Sequence, residues 1–184
     1  TKLYEDAKAM LKKMVEEKWL TPKAVFGFWP ANSNDKDDVH VIDEKQNTEI
    51  SLQFLRQQMK KAAGQPNLSL ADFIAPSNCN QQDHIGAFAV TIKGIEEHIK
   101  RFEQEYDDYS KIMLQALADR LAEALAEYLH HEVRCKYWGY AADETLSNEE
   151  LIKETYAGIR PAPGYPACPD HTEKYKLFKL LNVS

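Results

Sequence analysis

Arg160 stands at the head of a segment that concentrates most of the chemistry this 184-residue chain offers. A guanidinium is a permanent cation with a planar fork of donors that suits a carboxylate. Four of the chain's eight prolines follow it, at positions 161, 163, 166 and 169. Each fixes its own φ, removes an amide donor and pushes the residue before it toward an extended conformation. Gly164, without a Cβ, lets the chain bend and a ligand come close to the backbone. The pattern predicts a stiff, extended ribbon whose carbonyls have no helix or ladder partner and can be offered to a small molecule at low entropic cost. Proline-rich stretches are ordinarily loops or linkers. Here Tyr165, Cys168 and His171 are not linker residues, and Thr172-Glu173 opens a new apolar run from Tyr175 to Leu181.

Other constellations are weaker. Cys168 and His171 could pair as nucleophile and base, but no oxyanion hole is evident near them. His130 and His131, adjacent on a helix, point about 100° apart and read as surface histidines rather than two ligands of one ion. Asp35, Asp37 and Asp38 lack the glycine and distal glutamate of a calcium loop and read as a solvated turn. The three cysteines (Cys79, Cys135, Cys168) are odd in number and far apart, which fits neither a disulfide framework nor a Cys-x-x-Cys zinc site. No Gly-x-Gly-x-x-Gly or phosphate loop occurs. Asp119, Glu123 and Glu127 recur at four-residue steps among Ala116, Ala122 and Ala126. A solvated acidic face and a surface that another body approaches closely both fit that pattern.

The elements that must position these residues follow from periodicity. Leu3, Ala7, Met10, Leu11, Met14, Val15 and Trp19 predict an amphipathic helix over residues 3–19, ended by Thr21-Pro22. Residues 24–29 and 39–42 read as a hairpin around a polar turn, with a further strand near 46–51. Residues 54–63 read as a helix ended by Gly64 and Pro66, and 68–76 is ambiguous. The nearly continuous apolar run 85–92 reads as a central strand. A helix starts at Gly94 and runs through Phe102. The longest helix spans 107–137, with Leu114, Leu117, Leu121, Leu125 and Tyr128 as its core stripe. Ser147 and Glu150 form a capping box for a short helix that leads through Glu154 and Tyr156 to Arg160. The interleaved order predicts an α+β fold: a single domain with a twisted antiparallel sheet flanked by helices.

The length suits one domain with a sizeable core. A formal charge of −6 and a pI near 5.5 argue against nucleic acid or an anionic membrane as the main partner. Hydrophobic content of 43% and charged content of 28% are ordinary for a globular protein. No apolar run approaches the roughly 18 residues of a membrane span, and the cysteine usage points to a reducing cytoplasm.

The string Gly158-Ile159-Arg160-Pro161-Ala162-Pro163-Gly164-Tyr165-Pro166-Ala167-Cys168-Pro169-Asp170-His171 resembles the signature of the activation domain of cobalamin-dependent methionine synthase. Val25-Phe26-Gly27-Phe28-Trp29-Pro30-Ala31-Asn32, Leu70-Ala71-Asp72-Phe73-Ile74-Ala75-Pro76, Ile85-Gly86-Ala87-Phe88-Ala89 and Tyr137-Trp138-Gly139-Tyr140-Ala141 resemble the same family in the same order. So do Ala118-Asp119-Arg120-Leu121 and Leu146-Ser147-Asn148-Glu149-Glu150, so the resemblance spans essentially residues 1–184.

The resemblance implies a module that binds S-adenosylmethionine (AdoMet) and presents its methyl group for reductive methylation of cob(II)alamin. That step serves an enzyme making methionine from homocysteine and methyltetrahydrofolate. Arg160 would bind the methionyl carboxylate, Ala162, Gly164 and Tyr165 would meet the ligand largely through backbone groups, and Glu154 would contact it. Glu97, Asp119, Glu123 and His171 would face the cobalamin-binding domain of the same polypeptide. The resemblance implies no catalytic nucleophile and no metal ligand on this chain. Cobalamin would sit on a separate domain, zinc only in other modules, and flavodoxin or an equivalent reductase would supply the electron. The family's site also uses an acidic residue in an Ile-Asp-Trp-Thr-Pro segment and aromatic residues in a Ser-Gly-Trp-Tyr-Phe-Ser-His-Pro type strand. Neither segment is in this sequence, so the site is expected to be incomplete and the chain alone inactive. Two other readings stay open at this point: a free-standing AdoMet module that activates another corrinoid protein in trans, and an interaction domain without a ligand.

Overall fold

The computed structural model of the protein describes residues 1–183. In chain order its main elements are α1 (Lys2–Glu16), β1 (Thr21–Ser33), β2 (Asp38–Asp43), β3 (Thr48–Gln53), β4 (Asp83–Lys93), α2 (Ile95–Gln104), α3 (Asp108–Glu132), α4 (Asn148–Ile152) and α5 (Glu173–Leu181). The strands form one antiparallel sheet of order β3-β2-β1-β4. The α+β class, the antiparallel sheet and the long helix are as expected. The chain divides into two compact units, Thr1–Val25 with Val90–Ala157, and Phe26–Ala89 with the stretch from Gly158 onward.

The first unit is built on helices. α1 ends at Glu16, short of the expected residue 19, because Lys18 turns into the left-handed region at φ 53°. The Trp19 amide then donates to the Met14 carbonyl at 3.0 Å and the Lys18 amide to Val15 at 3.3 Å, which closes the helix in a Schellman arrangement. Trp19, thrown clear of the helix, is buried with Met14, Phe102 and Leu114 against Met10, Ile95, Ile99, Leu117 and Leu121. Asp107 caps α3 by accepting from the Ser110 amide at 2.9 Å. A five-residue π-type turn, Val133–Tyr137, continues α3 to the limit that periodicity gave. Its core stripe is only partly the expected one. Leu114 is fully buried, but Tyr128 is 62% exposed while Ala126, Leu129 and His130 are buried. Ala118 and Ala126 complete the stripe because a close approach between elements selects small residues that a count of large apolar positions overlooks.

The second unit carries the sheet's hairpins. β2 pairs with β1 through Ala31↔Val41 and Ser33↔Val39, and with β3 through Val39↔Leu52 and Val41↔Ile50. Val39, Val41 and Leu52 have no exposed surface, so this register is held by burial of one face. β1 does not stop at Pro30; the ladder to β2 begins at Ala31, past the missing amide. The apolar strand β4 lies at the end of the sheet order, not its centre. An apolar run reports how far the faces are covered, as the half-buried Ala87–Val90 segment illustrates, and says nothing of lateral position.

The helix expected over 54–63 does not form. Arg56 is drawn instead onto Asp37 and onto Asp72, where Nη1 and Nη2 donate at 2.8 and 2.6 Å, and onto the Asn67 carbonyl at 2.9 Å. Phe54, buried, gives its carbonyl to the Ser69 hydroxyl at 2.6 Å. These long-range contacts outweigh the local helical pattern, a difference worth only tenths of a kcal/mol per residue. They also correct the reading of Asp37 as a solvated turn residue. The ambiguous 68–76 stretch contains a 3-10 turn, Leu70–Phe73, closed by a capping box between Ser69 and Asp72.

Glu173 opens α5 with 1% of its surface exposed. One carboxylate oxygen accepts from the Gln53 amide at the end of β3 at 3.1 Å, and the other accepts from Lys176 at 2.8 Å. Glu173→Ala strands that amide and is expected to cost about 2–4 kcal/mol, read as a lowered melting temperature or denaturant midpoint. The Arg56 hydrogen bond is the main cause holding the Asp72 carboxyl below its ordinary 3.8. A depressed acid contributes stability above its unfolded value and loses it as pH falls through the folded one. Asp72→Asn should therefore flatten the acid limb of a melting-temperature-versus-pH curve and leave its slope near neutrality unchanged.

Candidate functional site

The proline-rich segment is not an extended ribbon. The Tyr165 amide donates to the Ala162 carbonyl at 3.0 Å, the Cys168 amide to the Tyr165 carbonyl at 2.9 Å, and the Gly164 amide to the Cys168 carbonyl at 2.7 Å. Two successive tight turns result, bridged antiparallel at Tyr165 and Cys168. In the first, Pro163 holds the second position and Gly164 the third, at φ +107°. A Pro-Gly pair at those positions is the signature of a type II turn, which needs a positive φ at its third residue. Pro166 takes the second position of the next turn. The Ala167 carbonyl accepts from the Leu70 amide at 2.9 Å, which fastens the double turn to the capped 3-10 segment.

This corrects the expectation that the segment's carbonyls are unpartnered. Those of Ala162, Tyr165, Ala167 and Cys168 already accept hydrogen bonds. A carbonyl has two lone pairs, so each can still take a second donor. What the turns supply is rigidity: Ala162, Gly164 and Tyr165 are all exposed, and Tyr165 keeps 60% of its surface. Arg160, at the entrance, is half-buried.

His171 packs on the other side of this turn. A Cβ at Gly164 would overlap its imidazole, and its Nδ1 accepts from Lys174 at 3.0 Å. Asp170 accepts from the Thr172 amide and hydroxyl at 2.8 and 2.7 Å, bonds that hold its carboxyl below the usual range and lead the chain into α5. Cys168 is 2% exposed, and burial pushes its thiol up to about 11. A thiol so raised is not a nucleophile at neutral pH, and the Cys168–His171 pairing lapses.

The remaining expected site residues lie in the first unit. Glu97 belongs to the first turn of α2, and Asp119 and Glu123 are exposed one turn apart on α3. Glu97 also lines an open groove of about 670 Å³ with Trp19, Gly94 and His98, whose ring stacks on Trp19 at 4.0 Å. Glu154 follows α4 in the left-handed region at φ 53° and is exposed. The capping box expected for α4 is present, Ser147 and Glu150 each accepting from the other's amide.

Sequence reasoning missed a buried polar cluster in the same unit. Arg134 has no exposed side-chain surface. It donates to both Glu144 oxygens, from Nε at 2.9 Å and Nη2 at 2.6 Å, and to His130 Nδ1 from Nη1 at 2.6 Å. Its guanidinium lies 4.1 Å from the Tyr156 ring centre, and His130 meets that ring edge-on at 4.9 Å. His130 is thus buried, not superficial. The four-residue spacing of His130 and Arg134 was visible, but nothing in it told a buried pair from a solvated one.

The model of the family described as "Vitamin B12 dependent methionine synthase, activation domain" matches residues 1–184. The chain belongs to that family. Among solved structures, this activation domain is similar to the MetH reactivation domain bound to AdoHcy, with a TM-score of 0.87 and 54% identity over 99% of this chain. It spans 56% of that structure's chain. Among the described residues of the activation domain, no helix is long and apolar enough to cross a membrane.

Gly164→Ala should cost about 1–3 kcal/mol, combining the positive φ with the overlap on His171. In a His171→Ala background the steric part should vanish, so the same substitution should lower the melting temperature less. Equal losses in both backgrounds would assign the whole effect to φ.

Proposed function

We propose that the double turn after Arg160 binds AdoMet and that the chain presents its methyl group to cobalamin held by another domain of the same polypeptide. The observation that carries this reading is the likeness, at 54% identity, to a reactivation domain bound to AdoHcy, the molecule AdoMet becomes on losing its methyl group. The geometry supports it. The exposed Ala162 carries only a methyl group, so a ligand can reach the backbone beside it, and the turns are already closed by their own hydrogen bonds. Arg160 supplies the fork for the methionyl carboxylate. Glu154 and carbonyl lone pairs suit the ammonium and the adenine amine.

On this reading the chain contributes position and no nucleophile. Cobalamin on the neighbouring domain would supply the methyl acceptor and flavodoxin or an equivalent reductase the electron, while the Arg160 fork and the double turn would hold AdoMet and release it as AdoHcy. Glu97, Asp119, Glu123 and His171 are the residues that would meet the cobalamin domain, residues 1–184 act as one activation domain, and the protein works in the cytoplasm. The isolated chain is inactive, because homocysteine and methyltetrahydrofolate are handled by other modules.

Arg160→Ala in the intact protein should weaken AdoMet binding by about 1.5–3 kcal/mol, the size of a charge-assisted hydrogen bond and roughly tenfold to more than a hundredfold in affinity. Lysine should recover only part, since an ammonium cannot reproduce the fork. Calorimetric titration measures both. If Arg160 merely pins the turn, the alanine variant melts lower without ligand and binds AdoMet unchanged, which would end the carboxylate assignment.

A further inference from the structure

His131, Cys135 and Glu144, none of them part of the proposed AdoMet turn, converge in the first unit. His131 and Cys135 are four residues apart, so they share one face where α3 runs into the π-type turn. Glu144 comes from the loop after Gly139. His131 Nδ1 lies 3.1 Å from Glu144 Oε1 and 3.5 Å from Cys135 Sγ, and the three ligand atoms all fall within 4.8 Å of one another. A tetrahedral zinc, with Zn–N and Zn–O near 2.0–2.1 Å and Zn–S near 2.3 Å, separates neighbouring N and O ligands by about 3.3 Å and N and S by about 3.5 Å. The two edges at His131 Nδ1 already lie near those values.

We propose that His131, Cys135 and Glu144 form a binding site for a borderline-soft divalent cation of the zinc type, with water in the fourth position. Thiolate and imidazole together select such a metal over magnesium or calcium, which prefer oxygen ligands. The carboxylate is held in place from behind, since Arg134 donates to both of its oxygens. Orientation of a ligating carboxylate by an outer hydrogen bond is the usual support of such a site. His131 keeps 37% of its side chain exposed, which leaves an approach for the ion. Binding breaks the Cys135 S–H bond, releases that proton to solvent and forms the metal–sulfur bond, with no change of oxidation state. The Arg134 charge opposes a second cation nearby, so the affinity should fall below that of four-ligand structural zinc sites.

The test is titration of the intact protein with Co²⁺ alone, followed by displacement with Zn²⁺. The expected result is a thiolate-to-cobalt charge-transfer band with tetrahedral d–d absorption, bleached by zinc. In a difference against Cys135→Ser the whole band should appear, and His131→Gln should weaken Co²⁺ binding at least tenfold. Cys79→Ser, altering the exposed free cysteine, should change nothing. A second readout is the melting temperature, which zinc should raise in the wild type more than in either triad variant. Glu144 is left unaltered, since removing it would leave Arg134 buried without its counter-ion. The absence of a charge-transfer band from the difference between the wild type and Cys135→Ser overturns the proposal. The remaining reading would be a His131–Glu144 hydrogen bond with Cys135 as a bystander.

Discussion

A guanidinium with no exposed surface persists only where its charge and its N–H groups are met inside the protein. Arg134 imposes that condition on the end of the long helix. Glu144 must come back across a loop to take Nε and Nη2, His130 must turn its Nδ1 lone pair toward Nη1, and Tyr156 must lay its ring against the cation. The Arg134 hydrogen bonds in turn are the main cause, with His131 behind them, holding the Glu144 carboxyl below the usual range. One residue thus fixes three segments: the π-type turn, the loop after Gly139 and the stretch after α4. Replacing any single partner leaves a buried group unsatisfied, so the cluster behaves as a unit and its energies do not add.

The second unit solves a similar problem with a carboxylate. Glu173 covers the last amide of β3 and so ties the start of α5 to the sheet. The double turn is fastened at Ala167 by the Leu70 amide, and the chain that leaves it is fastened again at Glu173. Within the double turn Pro163 and Pro166 each have φ fixed by their rings, so they have little freedom left to lose and the conformation of residues 162–168 is inexpensive to maintain.

Much of this was legible in the sequence, and unevenly so. The long helix, the Ser147–Glu150 cap and the β1–β2 hairpin followed from local pattern, because each is stabilised by contacts a few residues apart. The Pro163-Gly164 pair also spelled a turn, and reading it as a ribbon weighed the prolines singly and not in combination with the glycine. What local pattern could not give depends on distant partners. Residues 54–63 carry a helical period but are claimed by Asp37 and Asp72 through Arg56, and β4 is apolar although it ends the sheet order. His130 read as a surface residue because its type usually is, and nothing local marked Arg134 or Glu173 as buried; only the positions of Glu144, Tyr156 and Gln53 reveal it. For the candidate site, the motif supplied the identities of Arg160, Ala162, Gly164 and Tyr165, while the double turn that holds the last three had to come from the structure.

The form of that turn bears on why such a site would be made of backbone at all. Transfer of a methyl group is sensitive to placement, with reacting atoms productive at roughly 3–3.5 Å and misplacement of about 1 Å costly. A long side chain that grips the donor brings rotamer freedom that must be frozen on binding. A proline-locked turn brings almost none, and its hydrogen bonds are complete before any ligand arrives. On the proposed reading, the labour is then divided. The turn sets where the ligand lies, through groups that depend on Pro163 and Gly164 for their geometry and scarcely on other side chains. Arg160 sets which ligand is accepted, through a charge that no backbone group can supply. A chain with no usable nucleophile in this segment, its one cysteine thiol pushed up to about 11, is suited to that division, since positioning is the whole of what it contributes.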